Sequence, residues 1–271
     1  MVFAAESFGL SLRRACRLVD MWLSSYRYLP RPTNDETLRN RMKELAEQRR
    51  RFGCPRLHVM LKRETLVVNH KRTERIYREE KLSLRLKKRK RRPAAARIEL
   101  PKPERPNQRW SMDFVHDALW SGRKFRALTI VDDCSRECPA IEVDTSIGGK
   151  RACRVLDRLA EMRGLPEVIT MDNGPEFIGK ALDQWAYEKG VKLHFIQPGK
   201  PTQNAYVESF NGKFRDECLN DNWFTTMQQA KSIIETWRRD YNEARPHSSL
   251  GDLSPSEFLK KIEVKNTERL Q

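Results

Sequence analysis

Val168-Ile-Thr-Met-Asp-Asn-Gly-Pro-Glu-Phe177 is the stretch on which the reading of this chain turns. Four β-compatible residues run into Asp172, Asn173-Gly174 supplies a turn, and Pro175 suits the first residue of a helix. The stretch therefore predicts a buried strand over 167–171, a carboxylate where strand gives way to loop, and a helix over 175–189. Upstream, Trp110-Ser-Met-Asp-Phe-Val115 sets a second carboxylate, Asp113, inside an apolar strand. Downstream, Asn204-Ala-Tyr-Val-Glu-Ser-Phe-Asn-Gly212 sets Glu208 on a predicted helix over 202–219. The order is Asp, 58 intervening residues, Asp, 35 intervening residues, Glu.

An ionised aspartate in an apolar strand is costly unless it is paired or bound to a metal. Two aspartates and a glutamate converging at strand ends would make a hard, oxygen-rich site suited to Mg²⁺ or Mn²⁺. With two ions, such a site activates a water or hydroxyl and stabilises the leaving oxygen of an in-line phosphoryl displacement. Each acid alone has a plainer reading: a salt-bridged Asp113, a turn residue at Asp172, a solvated Glu208. Asp132 and Asp133 also end a strand nearby, and rank below the three because adjacent strand residues face opposite ways.

Around these acids the pattern alternates. Strands are expected over 108–116, 125–132 and 139–143, then a helix carrying Val155, Leu156, Leu159 and Met162 that ends at Gly164. A strand over 191–196 follows the helix of 175–189. Three strands in succession and then alternation with helices predict an α/β fold, a mixed sheet flanked by helices. Past it, Ala230, Ile233, Ile234, Trp237 and Tyr241 stripe one face of a long helix, and a short helix begins at Pro255. His247, in the turn between them, reads as a structural residue closing the C-terminal segment.

The charge is unevenly placed. The net +16 lies wholly in residues 1–104, with 28 Lys+Arg against 12 Asp+Glu, while 105–271 balance at 25 each. A basic arm on a neutral body suits a polyanion, and nucleic acid above all. Leu12, Ala15, Cys16 and Val19 stripe a short helix; further helices are expected from Asn34 or Asp35 to about Phe52, from Pro55 through Leu61, and over 70–80 behind an Asn69 cap. On the last, Lys71, Arg75 and Arg78 share a face, as in a helix-turn-helix reader of DNA. Arg85-Leu-Lys-Lys-Arg-Lys-Arg-Arg92 follows, with Arg85, Lys87, Lys88, Arg89, Lys90, Arg91 and Arg92 as candidate phosphate contacts, and then a Pro-rich tether. The expected domains are 1–30 (N-terminal helical segment), 31–84 (helix-turn-helix-like DNA-binding domain), 85–104 (linker), 105–225 (catalytic core) and 226–271 (C-terminal helical extension). Neither a bilayer-spanning run nor a signal peptide is expected, and six cysteines without a C-x-x-C pair read as reduced thiols of a cytoplasmic protein.

Trp110-Ser-Met-Asp113, Asp172-Asn-Gly-Pro-Glu-Phe177, Gln203-Asn-Ala-Tyr-Val-Glu-Ser-Phe-Asn-Gly212 and Asp240-Tyr-Asn-x-x-Arg-Pro-His-Ser-Ser-Leu-Gly251 together resemble the retroviral-integrase-type transposases of bacterial insertion sequences. The resemblance covers residues 10–260 and is closest to the second-frame (B) product of elements whose gene is split over two frames. It implies a ribonuclease-H-like integrase core behind a small all-helical DNA-binding arm, cleaving DNA at the element's ends and joining them elsewhere. It also implies Asp113, Asp172 and Glu208 as the metal-binding catalytic triad, with Arg215 as the basic residue seven positions past the glutamate. Arg215 lies on the same helical face as Glu208, Asn204, Asn211 and Gly212, a surface low enough to admit a DNA backbone, although a local pair with Asp216 or Glu217 is the alternative. The implied partners are the element's terminal inverted repeats, target DNA, further copies of the chain on DNA, and the first-frame protein. The rival readings are a non-catalytic DNA-binding regulator of the same element and a related nuclease that cuts without joining. Relatives tend to carry glycine where this chain has Asp20 and Thr65, so those two turns are expected to be altered.

Overall fold

The computed structural model describes residues 8–29, 35–84, 101–174, 177, 179–196 and 204–269, the side chains of 266, 268 and 269 excepted. The basic run 85–92, with all its candidate phosphate contacts, lies outside the described residues. The chain divides into two units, Met1–Arg41 and Met42–Gln271. The first holds α1 (Leu12–Leu18), α2 (Leu23–Arg27) and the start of α3 (Glu36–Gln48). Ser11 caps α1 by accepting from the Arg14 N–H, and Ala15 and Cys16 are its buried residues.

In the second unit α3 continues into α4 (Cys54–Arg63) and α5 (His70–Glu79). Asn69 caps α5 as expected, its Oδ1 accepting from the Lys71 N–H at 3.0 Å. Thr73, Ile76 and Tyr77 are the buried residues of α5, and Lys71, Arg75 and Arg78 stand on its exposed side. The turns after α1, α4 and α5 all close with the same pair of backbone bonds. After α4, Leu66 N–H reaches Leu61 O and Thr65 N–H reaches Lys62 O, each at 3.0 Å. That geometry places one residue in the left-handed region, normally a glycine. Here the three residues are Asp20 (φ 52°), Thr65 (φ 60°) and Lys81 (φ 54°).

The body is a five-stranded sheet in the order β3-β2-β1-β4-β5. Its strands are β1 (Arg109–Ala118), β2 (Lys124–Asp132), β3 (Ala140–Asp144), β4 (Val168–Met171) and β5 (Lys192–Phe195). β1, β2 and β3 pair antiparallel, while β4 and β5 add in parallel on the far side of β1. The sheet is mixed for a simple reason: tight turns join the first three strands, whereas α6 (Gly149–Arg163) and α7 (Lys180–Lys189) are the crossovers to β4 and β5. Alternation along β1 sorts its side chains between two cores. Trp110 and Met112, with Phe114 beside them, join Ile169 and Met171 of β4 under α6 and α7. Val115 joins Phe125, Ala127 and Val131 of β2 under α8 (Ala205–Glu217) and α9 (Met227–Glu243). Covered on both faces, β2 is buried from Phe125 to Asp132 apart from Arg126, and it reads in the sequence as a nearly continuous apolar run.

Two elements depart from expectation. The helix expected from Pro175 starts at Lys180, because Phe177 turns into the core instead, fully buried and stacked on Phe114 with ring centroids 4.9 Å apart. The terminal helix is not short: α10 runs Pro255–Arg269.

Three arginines seven residues apart fasten the helical segment to the body. Arg49 forms a two-pronged pair with Asp240, its second nitrogen 2.6 Å from Oδ1. Arg56 reaches Glu217 at 3.2 Å. Arg63 reaches Glu257 at 2.7 Å and donates to the Asp252 and Ala244 carbonyls at 2.9 and 3.2 Å. Glu217 is also held by Arg245, nearly fully buried, through bonds of 2.7 and 2.6 Å.

Candidate active site

Register and parity bring the three acids of the motif to one end of the sheet. β1 and β4 run parallel with Ser111 beside Thr170. Asp113 and Asp172 each lie two residues further along, so both point to the face that α8 covers. α8 begins over this face, and Glu208 sits in its first turn.

Asp113 is half-buried and strongly oriented. Its Oδ1 accepts from the Phe114 N–H and its Oδ2 from the Asn211 side-chain amide, both at 2.7 Å. Asn211 is held in turn by the Thr129 hydroxyl, which donates to its Oδ1 at 2.9 Å. Asp172 accepts from the Gly174 N–H at 3.0 Å, and Asn173 ties the same loop to the end of β5 through the Ile196 carbonyl. Burial pushes the Asp113 carboxyl up to about 6. The nearby charges of Asp172 and Glu208 push the same way, and the bonds from Phe114 and Asn211 only partly offset them. Burial also raises Glu208 above the ordinary carboxylate range.

The three acids are therefore electrostatic neighbours, but they are not drawn into a closed cage. Among the described residues, no group of three His, Cys, Asp or Glu side chains is gathered to hold an ion. The donor set itself fits a hard divalent cation, being all carboxylate oxygen. Its mutual repulsion at Asp113 is what a bound cation would relieve. The segments beside it, 175–176 and 197–203, lie outside the described residues.

Asp132 and Asp133 serve the fold. Asp132 accepts from the N–H groups of Asn107, Cys134 and Ser135 at 2.7 to 2.9 Å. Asp133 is bound by Arg109 at 2.6 Å and Ser111 at 2.7 Å. Arg215 is exposed beside the site, and its guanidinium donates to the His116 carbonyl of β1 at 3.1 Å. The local pair with Glu217 does not form, since Glu217 belongs to Arg56 and Arg245. On α5, Arg75 pairs with Glu79 and Arg78 with Glu74, each four residues away, and Lys71 stands exposed. His247 is buried against Tyr241 in an edge-on contact of 4.8 Å, inside the C-terminal turn. The orienting roles of Asn211 and Thr129 were not foreseen. The signal was a hydroxyl inside the apolar run of β2 and an amide three residues past the glutamate.

No helix among the described residues is long and apolar enough to cross a membrane. The HTH-like domain family matches residues 33–92, and the Integrase core domain family matches 103–201 and 189–255. The chain is 52% identical to the uncharacterized 31.7 kDa protein of insertion element IS407 from Burkholderia multivorans, over 94% of this chain and 93% of that one. It is 48% identical to the uncharacterized 39.2 kDa protein of insertion element IS476 from Xanthomonas euvesicatoria, over 93% of this chain and 73% of that one. A simian T-cell lymphotropic virus intasome structure, solved with PP2A regulatory subunit B56 gamma, shares the fold at a TM-score of 0.54 and 16% identity, over 80% of this chain and 73% of that one. With a match at this identity along nearly its whole length, the chain belongs to the insertion-element transposases that join an HTH-like domain to an integrase core domain.

Proposed function

We propose that this transposase performs Mg²⁺- or Mn²⁺-dependent cleavage and strand transfer at the ends of its element, with Asp113, Asp172 and Glu208 as the catalytic carboxylates. The observation that carries this reading is the coupling of the three acids: Asp113, half-buried, is raised to about 6 by burial and by the charges of the other two. Isolated surface or turn carboxylates would not act on one another in this way. Two ions held by these oxygens would supply the charge that activates the attacking oxygen and stabilises the leaving one.

The chain's own residues then divide the work. Asn211 and the Phe114 N–H fix both oxygens of Asp113, so its direction is set before any ligand arrives. The Gly174 N–H does the same for one oxygen of Asp172. Arg215, on the Glu208 face of α8, is placed to meet a DNA phosphate, and Lys71, Arg75 and Arg78 on α5 to meet the terminal repeat. Water attacks first and the freed 3′-hydroxyl second, so no covalent protein–DNA intermediate is needed. We infer that the partners are terminal repeats, target DNA, further copies of the chain and the first-frame protein, and that the work is done in the cytoplasm.

Asp113→Asn, Asp172→Asn and Glu208→Gln are the test, assayed for nicking and joining of an end-containing duplex with Mg²⁺, with Mn²⁺ and with EDTA. Each variant should lose about 10²-fold or more of activity while keeping its affinity for DNA, because only transition-state stabilisation is removed. A variant that cleaves normally removes its residue from the site, and full activity in EDTA removes the metal.

A further inference from the structure

The helix α8 carries two polar faces, and the proposed chemistry uses only one. Val207, Phe210 and Phe214 are buried and face the core. Glu208, Asn211 and Arg215 lie to one side of that stripe, and Lys213 and Glu217 lie to the other. The second side opens on a cavity of about 940 Å³ between α4–α5 and the C-terminal turn. Arg56, His58, Tyr77, Lys213, Arg245 and His247 are among the residues that line it.

The charge here does not balance. Lys213 faces Arg245, Arg56 and Arg136, and the carboxylate it faces is Glu217. Glu217 is already taken by Arg245 at 2.6 Å and Arg56 at 3.2 Å. Among the described residues Lys213 forms no ion pair, and its burial among cations pulls it down to about 8. Arg136 lies over the Tyr206 ring at 3.8 Å, and its Nη1 is buried without a hydrogen-bond partner. Asp133, which Arg136 also faces, is bound by Arg109 and Ser111. On the cavity wall the buried His247 Nε2 is likewise unpartnered. Unmatched cations and orphaned nitrogens in one place are costly unless an anion completes them.

We infer that this cavity is a phosphate-binding site for a single DNA strand, with Lys213 and Arg136 as the phosphate contacts and His58, Tyr77 and His247 as the surfaces beside the bases. The inference rests on the reading of the chain as a DNA transposase. The volume is that of a small-molecule site, well below what a duplex needs, and aromatic rings beside a cationic groove are how single strands are held without sequence preference. One helix thus presents the proposed catalytic glutamate on one side and the strand's phosphate contact on the other.

The full chain should be titrated with a fluorescent single-stranded decanucleotide and, separately, with an end-containing duplex. Lys213→Glu should weaken strand binding at least ten-fold, Lys213→Gln should lower its salt slope by about 0.7, the release expected from one lost contact, and Lys213→Arg should keep both. Duplex binding, carried by the arm, should move less than three-fold. A mapping experiment on the unaltered protein keeps the test independent of how the variants fold: the decanucleotide should protect Lys213 from acylation by an amine-reactive reagent. Equal acylation with and without the strand overturns the site, as does unchanged strand affinity in Lys213→Glu. Protection by a nucleoside triphosphate or inorganic phosphate, but not by the strand, overturns it in favour of a free anion. Failure of the unaltered chain to bind duplex as well would overturn the DNA reading itself, and the site with it.

Discussion

Thr65 sits at φ 60°, in a backbone conformation that costs a β-branched residue about 1–2 kcal/mol. Thr65→Gly removes that strain and returns part of it as unfolded-state entropy, so a net gain of about 0.5–1 kcal/mol is expected, read as a higher Tm. Asp113 yields a second expectation. A carboxyl raised to about 6 binds its proton more tightly than an ordinary one, and that proton competes with a cation for the same oxygens. Metal affinity should therefore hold above pH 6 and fall as the pH drops through it. Asn211→Ala deletes a bond that favours the charged form, so it should move that midpoint upward and cost about 10–100-fold in metal affinity. An unmoved midpoint would leave Asn211 a packing residue. Which residues bear charge was legible from the sequence, because Asp113 is conspicuous in an apolar strand. The Thr129–Asn211–Asp113 relay was not, since it joins β2, α8 and β1 across 82 and 98 positions of chain.

At the scale of elements, the strands and their order of appearance could be read from period and turn chemistry, and Gly164 and Gly190 do end α6 and α7. The sheet's order could not, because nothing local says that β4 docks beside β1 rather than β3. The start of α7 was misread for a related reason: Pro175 is a local signal, and burial of Phe177 against Phe114 is a distant one that overrides it. The basic helix α5 carries its own expectation. Lys71→Ala with Arg75→Ala and Arg78→Ala should weaken binding to the terminal repeat and blur the preference for it. Arg75 and Arg78 must first leave Glu79 and Glu74, which keeps the loss below that of unpaired contacts. Neutralising the seven charges of 85–92 should instead flatten the salt dependence, by about 0.9 in slope per lost phosphate contact, with the preference unchanged. A salt titration of both variants on specific and unrelated duplexes separates the two.

Across the second unit, the helices before residue 85 meet the body through the charged ends of Arg49, Arg56 and Arg63. Truncating Arg49 or Arg63 to Ala should cost about 1 kcal/mol or less at moderate salt, these pairs being partly exposed. Arg56→Ala should cost more, because Glu217 is nearly buried and would then answer to Arg245 alone. Hydrogen exchange in α4 reports the result: faster exchange in Arg56→Ala than in Arg63→Ala is expected, and the reverse order would put the weight of the joint at the α10 end. A joint of this kind also has a climate. Warming makes ions cheaper to strip of water, so heat loosens ion pairs less than it loosens most contacts, whereas salt screens them at any temperature. Brine should therefore free the helices of this transposase from its body more readily than warmth does, in a cell whose salt can change within minutes.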